Sequence, residues 1–269
     1  IPLKKIVIPV AGLGTRMLPA TKAVPKEMLP ILKKPIIQYI VEEVVYAGFK
    51  EIVLINHSSK NSIENHFDKS FELEVTLEKR VKRALLKEIR SISKLDISIQ
   101  SIRQHEPLGL GHAILCAKKI IGREPFGIIL PDMLISEKLA NDGIALKRMK
   151  DSFNQTGIDS LLLAKTNKVN LSKYGVANLS KKRISSKNQN LLGIIEKPPS
   201  KKAPSNFFAA GRYIFNNEMM NFIEKVKPDK YGEIQLTSAI NLYLESSKKI
   251  NPFFLDGKIF DCGDLKEYL

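Results

Sequence analysis

Short apolar runs and amphipathic segments alternate along the first part of the chain. Lys5–Val10 and Glu51–Asn56 each contain a continuous apolar run with β-branched residues, which predicts buried parallel strands. Between them, Ile36–Ala47 carries apolar residues at helical spacing and is followed by Gly48, a frequent helix terminator. The order of strand, loop, helix and strand is typical of a doubly wound α/β sheet.

Further elements follow the same alternation up to about residue 150, after which short strands predominate. We predict helices at Asn61–Phe67, Glu72–Ile92, Gly109–Lys119 and Asp142–Phe153, the second of them charged. Strands are predicted between them at Ile97–Ile102 and Phe126–Leu130. We then predict strands at Ser160–Lys165, Gly175–Leu179, Leu191–Glu196, Phe207–Phe215 and Phe253–Leu255, with helices at Met219–Lys225 and Glu233–Ser246. Neither a repeat nor a linker-like tract interrupts the sequence, so we predict one domain over residues 1–269.

Composition and charge narrow the class of protein. With 269 residues, 43% of them hydrophobic, the chain can bury a large core. The net charge of +15 fits a lysine-rich solvated surface, steering of anionic substrates, or nucleic-acid binding. The densest basic cluster, Lys79–Arg83, lies among glutamates and so indicates one face of a charged helix. No nucleic-acid-binding module is recognised, and we expect no nucleic-acid partner.

Other sequence features concern membranes, metals and compartment. No apolar run reaches the roughly 18–20 residues that a membrane span needs, so we expect no membrane partner. Four histidines lack the spacing of zinc ligands. Cys116 and Cys262 form no motif, and Ile1–Lys5 do not read as a signal peptide, so we expect a cytoplasmic protein.

The loop after the first strand is the main candidate for chemistry. Gly12 and Gly14 allow phosphates to approach backbone amides, and neighbouring prolines limit the freedom of the loop. Arg16, Lys22 and Lys26 can neutralise phosphate charge, although Lys22 receives no definite role. Without these cations, an ordinary strand-to-helix turn would explain the glycines equally well.

Two common nucleotide-binding motifs do not fit this loop. A dinucleotide fingerprint needs a third glycine where Met17 stands, and an acidic residue where the second strand ends at Asn56. A phosphate-binding loop of the Gly-Lys-Ser/Thr type is also absent from the sequence.

The loop and several dispersed motifs together resemble the sugar-1-phosphate nucleotidylyltransferase family. The matching motifs are Gly12–Lys22, Pro25–Pro30, His57–Phe67, Gly109–Ala113, Leu130–Asp132, Tyr174–Val176, Glu196–Pro198, Gly232–Thr237 and Asp261–Gly263. The resemblance implies a Rossmann-like, doubly wound mixed sheet of the nucleotide-diphospho-sugar transferase type with a β-rich sugar-binding part. It implies a nucleotide-binding half over about 1–150 and a sugar-phosphate-binding half over 151–269.

The variant of the motif that contains Ala20-Thr21-Lys22 narrows the expected reaction. It implies transfer of uridylyl from UTP to glucose 1-phosphate by Mg²⁺-assisted in-line displacement, giving UDP-glucose and pyrophosphate. Members of the family generally continue beyond the position of Leu269 into a helical segment used in subunit packing, which implies a homo-oligomer, either a dimer or a tetramer. The alternatives are a sister transferase that uses dTTP or another sugar, and a non-catalytic sugar-nucleotide-binding protein.

The resemblance also assigns roles to individual residues. It gives catalytic roles to Arg16, Lys26 and Lys197. It gives nucleotide binding to Ala11, Gly12, Leu13, Gly14, Gln104 and Gly109. It gives sugar binding to Gly175, Glu196 and Gly211, and it gives Mg²⁺ binding to Asp132 and Asp261.

The chemistry of these residue types agrees with the assigned roles. Gln104 can donate and accept hydrogen bonds at once, which suits the imide edge of uracil. Asp132 follows a buried strand, where a carboxylate suits a hard cation, although a lone aspartate there is as often a helix cap. Away from such a motif, Glu196 and Lys197 would be ordinary solvated residues. Ser238 departs from the family, which commonly has Asp there, and Glu233 receives no definite role.

Overall fold

The computed structural model describes residues 2–57, 60–137, 144–180, 189–264 and 268. Its strands β1–β13 lie at Lys5–Pro9, Pro30–Ile31, Lys34–Pro35, Glu51–Asn56, Ser98–Arg103, Phe126–Ile129, Met133–Glu137, Asp159–Lys165, Gly175–Leu179, Leu191–Glu196, Phe207–Phe215, Ile250–Phe254 and Gly257–Asp261. Its helices α1–α9 lie at Ile36–Tyr46, Asn61–Phe67, Phe71–Lys79, Arg83–Ser93, Gly109–Cys116, Lys118–Ile121, Ala145–Thr156, Met219–Lys225 and Leu236–Glu245.

Nine strands in the described part of the chain form a mixed sheet. Seven of them follow the order β10-β9-β11-β6-β1-β4-β5, while β8 pairs with β11 and with β12. Strands β6, β1, β4 and β5 are parallel, whereas β11 runs antiparallel to β6, β8 and β9. The loops that follow the parallel strands therefore leave the sheet at the same edge, which is where open α/β sheets bind ligands.

The central strand β1 contributes to hydrophobic cores on both faces of the sheet. Ile6 and Ile8 pack with residues of α1 and α7 on one face, whereas Val7 packs with residues of α5, α8 and α9 on the other. All three side chains are fully buried. Because helices cover both faces, the strand is a continuous apolar run rather than an alternating one. The predicted class of fold, a doubly wound α/β mixed sheet, is confirmed.

Most predicted elements have bounds within one to three residues of the observed ones, and Glu72–Ile92 is the clearest error. This segment is two helices, α3 and α4, rather than one. Val81 between them has a φ of 56°, and the chain folds back so that Arg90 forms ion pairs with both Glu74 and Glu78. The charges that predicted one solvated helix instead join two antiparallel helices.

Two helices begin later than predicted. The helix expected from Glu233 begins at Leu236, because the Asp229 carboxylate accepts hydrogen bonds from the backbone N–H of Tyr231 (2.8 Å) and Glu233 (3.0 Å) and holds a turn. The helix expected from Asp142 is observed from Ala145, and residues 142 and 143 lie outside the described residues. The Gly109–Lys119 prediction corresponds to α5 and the start of α6.

Strands β7 and β13, which were not predicted, form a separate two-stranded antiparallel sheet. Met133 pairs with Asp261 at one end of this sheet, and Glu137 pairs with Gly257 at the other. The pairing brings the segment after β6 against a segment near the end of the sequence. It thereby joins the two regions that carry the predicted metal ligands.

Candidate active site

Lys26 connects the glycine loop to the end of strand β6. Its Nζ lies 2.9 Å from Oδ2 of Asp132, which follows β6 after Leu130 and Pro131. The loop itself is held by the Thr21 hydroxyl, which donates to the Gly14 carbonyl at 2.7 Å. Arg16 is exposed at the same edge of the sheet, close enough for its charge to act on Asp132. The structure thus brings three of the predicted site residues together.

The protonation states of Lys26 and Asp132 are set by burial and by each other. Burial disfavours the charged form of Lys26, but the charges of Asp132, Glu27 and Asp261 outweigh it and raise the pKa of Lys26. Burial likewise opposes ionisation of Asp132, yet Lys26, with a smaller effect of Arg16, holds its pKa below the usual range. Both groups are therefore charged at neutral pH.

Asp132 and Asp261 share one small space. The backbone N–H of Cys262 donates to the Asp132 carbonyl at 2.7 Å, which extends the β7–β13 pairing to the two aspartates. A Cβ added at Gly263 would stand 3.1 Å from Oδ1 of Asp261 and 3.4 Å from Oδ2 of Asp132. The absence of a side chain at Gly263 therefore keeps open the space between the two carboxylates.

Further hydrogen bonds orient Asp261. The Tyr174 hydroxyl donates to Oδ2 at 2.9 Å, and the Gly263 backbone N–H donates to Oδ1 at 2.9 Å. The Tyr174 ring stacks on Phe208, with 4.4 Å between the ring centroids. The carboxylate is thus held in one direction by Tyr174 and Gly263, and Tyr174 is itself held by Phe208.

This pair of carboxylates fits a magnesium ion better than a transition metal. No cluster of three or more His, Cys, Asp or Glu side chains with metal-binding geometry occurs among the described residues. Mg²⁺ commonly binds through one or two carboxylates and completes its octahedron with water and substrate phosphates. Asp132 and Asp261 could therefore hold such an ion without a third protein ligand.

Gln104 lies at the same edge, just after β5. It is 7% exposed, and its backbone N–H donates to the Asn56 carbonyl at 2.9 Å. Its side-chain Nε2 donates to the Gly109 carbonyl at 3.3 Å and lies 3.0 Å from Nδ1 of His112. Gln104 and Gly109, which were predicted to bind the nucleotide, are thus in direct contact.

The glycines that begin α5 are closely approached by the segment before α9. A Cβ at Gly109 would lie 2.9 Å from Cβ of Glu233, and one at Gly111 would lie 2.7 Å from the carbonyl oxygen of Ile234. Gly111 also donates its N–H to that carbonyl at 2.8 Å, and Ile234 donates to the carbonyl of Leu108 at 2.8 Å. The Gly232–Thr237 motif therefore has a packing role, which sequence reasoning did not identify.

Two of the predicted sugar-binding residues, Gly175 and Glu196, line a separate cavity of about 130 Å³. Glu196 ends β10 opposite Gly175 of β9, and its Oε2 accepts a hydrogen bond from the Thr237 hydroxyl at 3.1 Å. Tyr213 and Met133 also line the cavity. Tyr174, which donates to Oδ2 of Asp261, lines the cavity as well, so the cavity lies next to the aspartate pair. Burial and the nearby charges of Glu196 and Asp132 raise the pKa of Tyr213.

Lys197 and Gly211 occupy the border of this region. Lys197 is half-exposed, its Nζ lies 3.7 Å from Oε1 of Glu196, and its N–H donates to the Tyr174 carbonyl at 3.0 Å. Gly211 is buried in β11, and its carbonyl accepts a hydrogen bond from Leu130 N–H at 2.8 Å. These contacts account for Gly211 structurally, and its contact with a sugar stays a prediction.

Sequence reasoning missed two polar residues next to the site. Lys60 is buried beneath the glycine loop, and its Nζ donates to the carbonyls of Val10 and Gly12. His112 contacts Gln104, as described above. Both lie in motifs that supported the family resemblance, which was the signal available in the sequence. Ser58 and Ser59 of the His57–Phe67 motif lie outside the described residues.

The sheet order, the cation-bearing loop and the carboxylate pair are those of a nucleotide-handling enzyme of the α/β class. Residues 5–269 match the family described as nucleotidyl transferase, and the chain belongs to that family. The family resemblance predicted from the sequence is confirmed.

Relatives of known function narrow the comparison to uridylyltransferases. The chain is 48% identical over 267 residues to the UTP–glucose-1-phosphate uridylyltransferase of Haemophilus influenzae, covering 98% of this chain and 90% of the relative. It is 45% identical over 271 residues to the enzyme of the same name from Escherichia coli, covering 99% and 88% of the two chains.

Solved structures lead to the same group. The UTP-bound UGPase of Acinetobacter baumannii superposes with a TM-score of 0.89 at 40% identity, covering 99% of this chain and 90% of the other. A UDP-glucose pyrophosphorylase complexed with UDP-glucose superposes with a TM-score of 0.85 at 35% identity, covering 99% and 95%. Among the described residues, none of the helices combines the length and apolar character required to cross a bilayer.

Proposed function

We propose that this chain transfers uridylyl from UTP to glucose 1-phosphate, giving UDP-glucose and pyrophosphate. The observation that carries the proposal is the convergence of Lys26, Asp132 and Asp261 at the carboxyl edge of the parallel strands. The names of the relatives supply the substrates. An oxygen of the sugar phosphate bonds to the α-phosphorus of UTP, and the bond from that phosphorus to the bridging oxygen breaks, so that pyrophosphate leaves.

The proposed reaction needs no general base. A phosphate monoester has a second pKa of about 6, so the attacking oxygen is already mostly ionised at neutral pH. Catalysis then consists of positioning and neutralisation of charge. Lys26 and Arg16 hold the triphosphate and the departing pyrophosphate, and Lys197 holds the phosphate of the incoming sugar.

We propose Mg²⁺ as the cofactor, held by Asp132 and Asp261. When bound, it would supply positive charge that offsets the charge developing on the phosphates. Lys26 already contacts Asp132, which places the ammonium and the carboxylate on the same side of the site. The Tyr174 hydroxyl keeps the Asp261 carboxylate in one orientation.

The substrates occupy two neighbouring regions in this proposal. Residues 1–150 bind the nucleotide, with phosphates on the backbone of Ala11–Gly14 and the uracil on Gln104 and Gly109. Residues 151–269 bind the sugar phosphate, with glucose hydroxyls on Glu196 and the backbone of Gly175, and with Gly211 close by. A carboxylate suits this role because it accepts two hydroxyl hydrogen bonds.

We also propose a cytoplasmic homo-oligomer, either a dimer or a tetramer. Support for the compartment comes from the two thiols, since Cys116 and Cys262 are both free cysteines. Support for assembly comes from the family resemblance. Size-exclusion chromatography with light scattering on the full-length protein tests the assembly directly.

A coupled assay of pyrophosphate release tests the reaction. The protein is incubated with Mg²⁺, with UTP or dTTP, and with a panel of sugar 1-phosphates, and the highest rate is expected with UTP and glucose 1-phosphate. Lys26→Ala is expected to lower the rate about 100-fold, because it removes about 3 kcal/mol of transition-state stabilisation. Lys4→Ala is the matched control, since Lys4 is exposed and precedes the start of β1, at the end of the strand that is far from the glycine loop.

Three outcomes would contradict parts of the proposal. A preference for dTTP would replace uridylyl transfer by thymidylyl transfer. Binding of UDP-glucose without release of pyrophosphate would indicate a non-catalytic sugar-nucleotide-binding protein. An unchanged rate in Lys26→Ala or Asp132→Asn would remove these residues from the site.

A further inference from the structure

The side-chain amide of Gln104 is held in one orientation by two neighbours. Its Nε2 donates to the Gly109 carbonyl at 3.3 Å and lies 3.0 Å from Nδ1 of His112. Gly109 and His112 stand three residues apart in α5, on the same face of the helix. Gln104 is buried and His112 is half-buried, so these contacts are largely shielded from water.

The contact with Gly109 determines which atom of the amide faces α5. A carbonyl oxygen has no proton to donate, so the amide must present nitrogen rather than oxygen to Gly109. The same nitrogen then donates to His112, whose Nδ1 must carry a lone pair while the proton of the ring resides on Nε2. The other tautomer would point the Nδ1–H of His112 at the Nε2–H of Gln104.

The opposite atom of the amide is the one available to a ligand. Among the described residues, no further hydrogen bond reaches the side chain of Gln104, so Oε1 remains free to accept one. The ring edge of uracil carries a donor at N3, between two carbonyl oxygens. The ring edge of cytosine has a lone pair at N3 and an amino group beside it.

We propose that His112 is a positioning residue that makes the enzyme select uracil over cytosine. By accepting a hydrogen bond from Nε2, it holds Oε1 of Gln104 toward the base, where it accepts from N3–H of uracil and repels the N3 lone pair of cytosine. This inference rests on the proposed function, in which Gln104 contacts the base. It adds the residue that decides whether the amide accepts or donates.

Rotating the amide by half a turn would adapt it to cytosine, and His112 opposes that rotation. In the rotated state Oε1 would face the carbonyl oxygen of Gly109, and it would also face the lone pair of Nδ1 for as long as the ring proton of His112 resides on Nε2. Without His112, only the longer contact with Gly109 would resist rotation. The selectivity for uracil should then fall by the equivalent of about one hydrogen bond.

Two substitutions of nearly equal shape separate this role from simple packing. In His112→Asn, Oδ1 lies close to the former position of Nδ1 and still accepts from Gln104. In His112→Leu, the side chain branches at the same atom but cannot accept a hydrogen bond. His112→Phe retains the volume of a ring without the acceptor, and it replaces the leucine variant if that variant does not fold.

A matched control exists elsewhere in the fold. Nε2 of His66 in α2 lies 3.0 Å from Oε1 of Gln38 in α1, so His66→Leu also breaks a histidine–glutamine hydrogen bond. This substitution is expected to leave base selectivity unchanged. If both leucine variants lose a similar amount of stability and only His112→Leu changes selectivity, the loss of stability does not explain the change in selectivity.

The measurement is kcat/KM for pyrophosphate release with UTP, CTP and dTTP, each with glucose 1-phosphate. The ratio of UTP to CTP is expected to fall about tenfold in His112→Leu and to stay within about threefold of the parent in His112→Asn. The ratio of UTP to dTTP should stay constant, because thymine presents the same imide edge as uracil.

The result that overturns the inference is an unchanged UTP-to-CTP ratio in His112→Leu or His112→Phe. An equal fall in His112→Asn would also overturn it, because packing rather than the acceptor would then be responsible. If the parent protein releases no pyrophosphate, the proposed function fails separately. Binding of UMP and CMP by calorimetry then tests the role of His112 without turnover.

Discussion

Replacing Lys60 by methionine tests how the glycine loop after β1 is held in place. Nζ of Lys60 donates to the carbonyls of Val10 (2.6 Å) and Gly12 (2.5 Å) and to Oε2 of Glu27 (2.8 Å). Lys60 is 5% exposed and Glu27 is 1% exposed. Methionine retains most of the aliphatic length of lysine but removes all three hydrogen bonds.

The size of the effect follows from burial. Burial lowers the pKa of Lys60, and the charge of Glu27 opposes that change. Without Lys60 the buried Glu27 carboxylate would lose its hydrogen-bonded counter-charge and keep only the charge of Lys26 nearby, and its Oε1 already lacks a hydrogen-bond partner among the described residues. We expect Lys60→Met to lower the free energy of unfolding by about 4 kcal/mol. The melting temperature should fall by roughly 10 °C.

Removing the charge from Glu27 should cost less than removing Lys60. In Glu27→Gln, the ammonium of Lys60 keeps two carbonyl acceptors, so we expect a loss of about 2 kcal/mol. The double variant, Lys60→Met with Glu27→Gln, contains no buried carboxylate without a hydrogen-bonded counter-charge. Its loss should therefore be smaller than the sum of the two single losses by about 2 kcal/mol.

Urea denaturation of the parent, the two single variants and the double variant measures this coupling. Lys50→Met is the control, because Lys50 forms an exposed ion pair with Asp96, and exposed pairs contribute little to stability. The reasoning is refuted if Lys60→Met costs no more than Lys50→Met. It is also refuted if the single losses add to within about 0.5 kcal/mol.

Two further substitutions test the carboxylates. Gly263→Ala places a methyl group 3.1 Å from Asp261 and 3.4 Å from Asp132, so half-maximal activity should need about tenfold more Mg²⁺; an unchanged Mg²⁺ titration would contradict this. Burial raises the pKa of Asp159 above its ordinary value of 3.8, so the folded protein binds this proton more tightly than the unfolded chain does. The parent protein therefore loses stability as pH rises from about 4 through the pKa of the folded state. In urea denaturation, Asp159→Asn should gain stability relative to the parent between pH 4 and pH 7, and a relative loss would contradict this sign.

The strands of the central sheet were the elements most accessible to sequence reasoning. Because helices cover both faces, the interior positions of β1 and β4 are all apolar, and the length of each run marks the strand. The predicted and observed bounds of β4 are identical, at Glu51–Asn56. Strand β7 carries no comparable signal, because it is only partly buried and its partner, β13, lies far along the chain.

The residues of the candidate site also differ in whether a local sequence pattern predicts their position. Asp132 follows β6 and Lys26 lies in the loop after β1, and the apolar pattern predicts both strands. Because these strands are parallel neighbours, both residues are expected at the same edge of the sheet. Asp261 lies at the end of β13, so its position depends on a pairing that no local pattern reveals. It could be assigned only through the resemblance of Asp261–Gly263 to a family motif.

Lys60 and His112 show why the remaining site residues escape such reasoning. A lysine or histidine in the sequence is equally compatible with an exposed and a buried position, and the partners of these two are backbone carbonyls and one amide nitrogen. In our proposals both act through another group, Lys60 on the loop and His112 on Gln104. Their substitutions should therefore separate in the assays, with a loss of stability at Lys60 and a loss of base selectivity at His112.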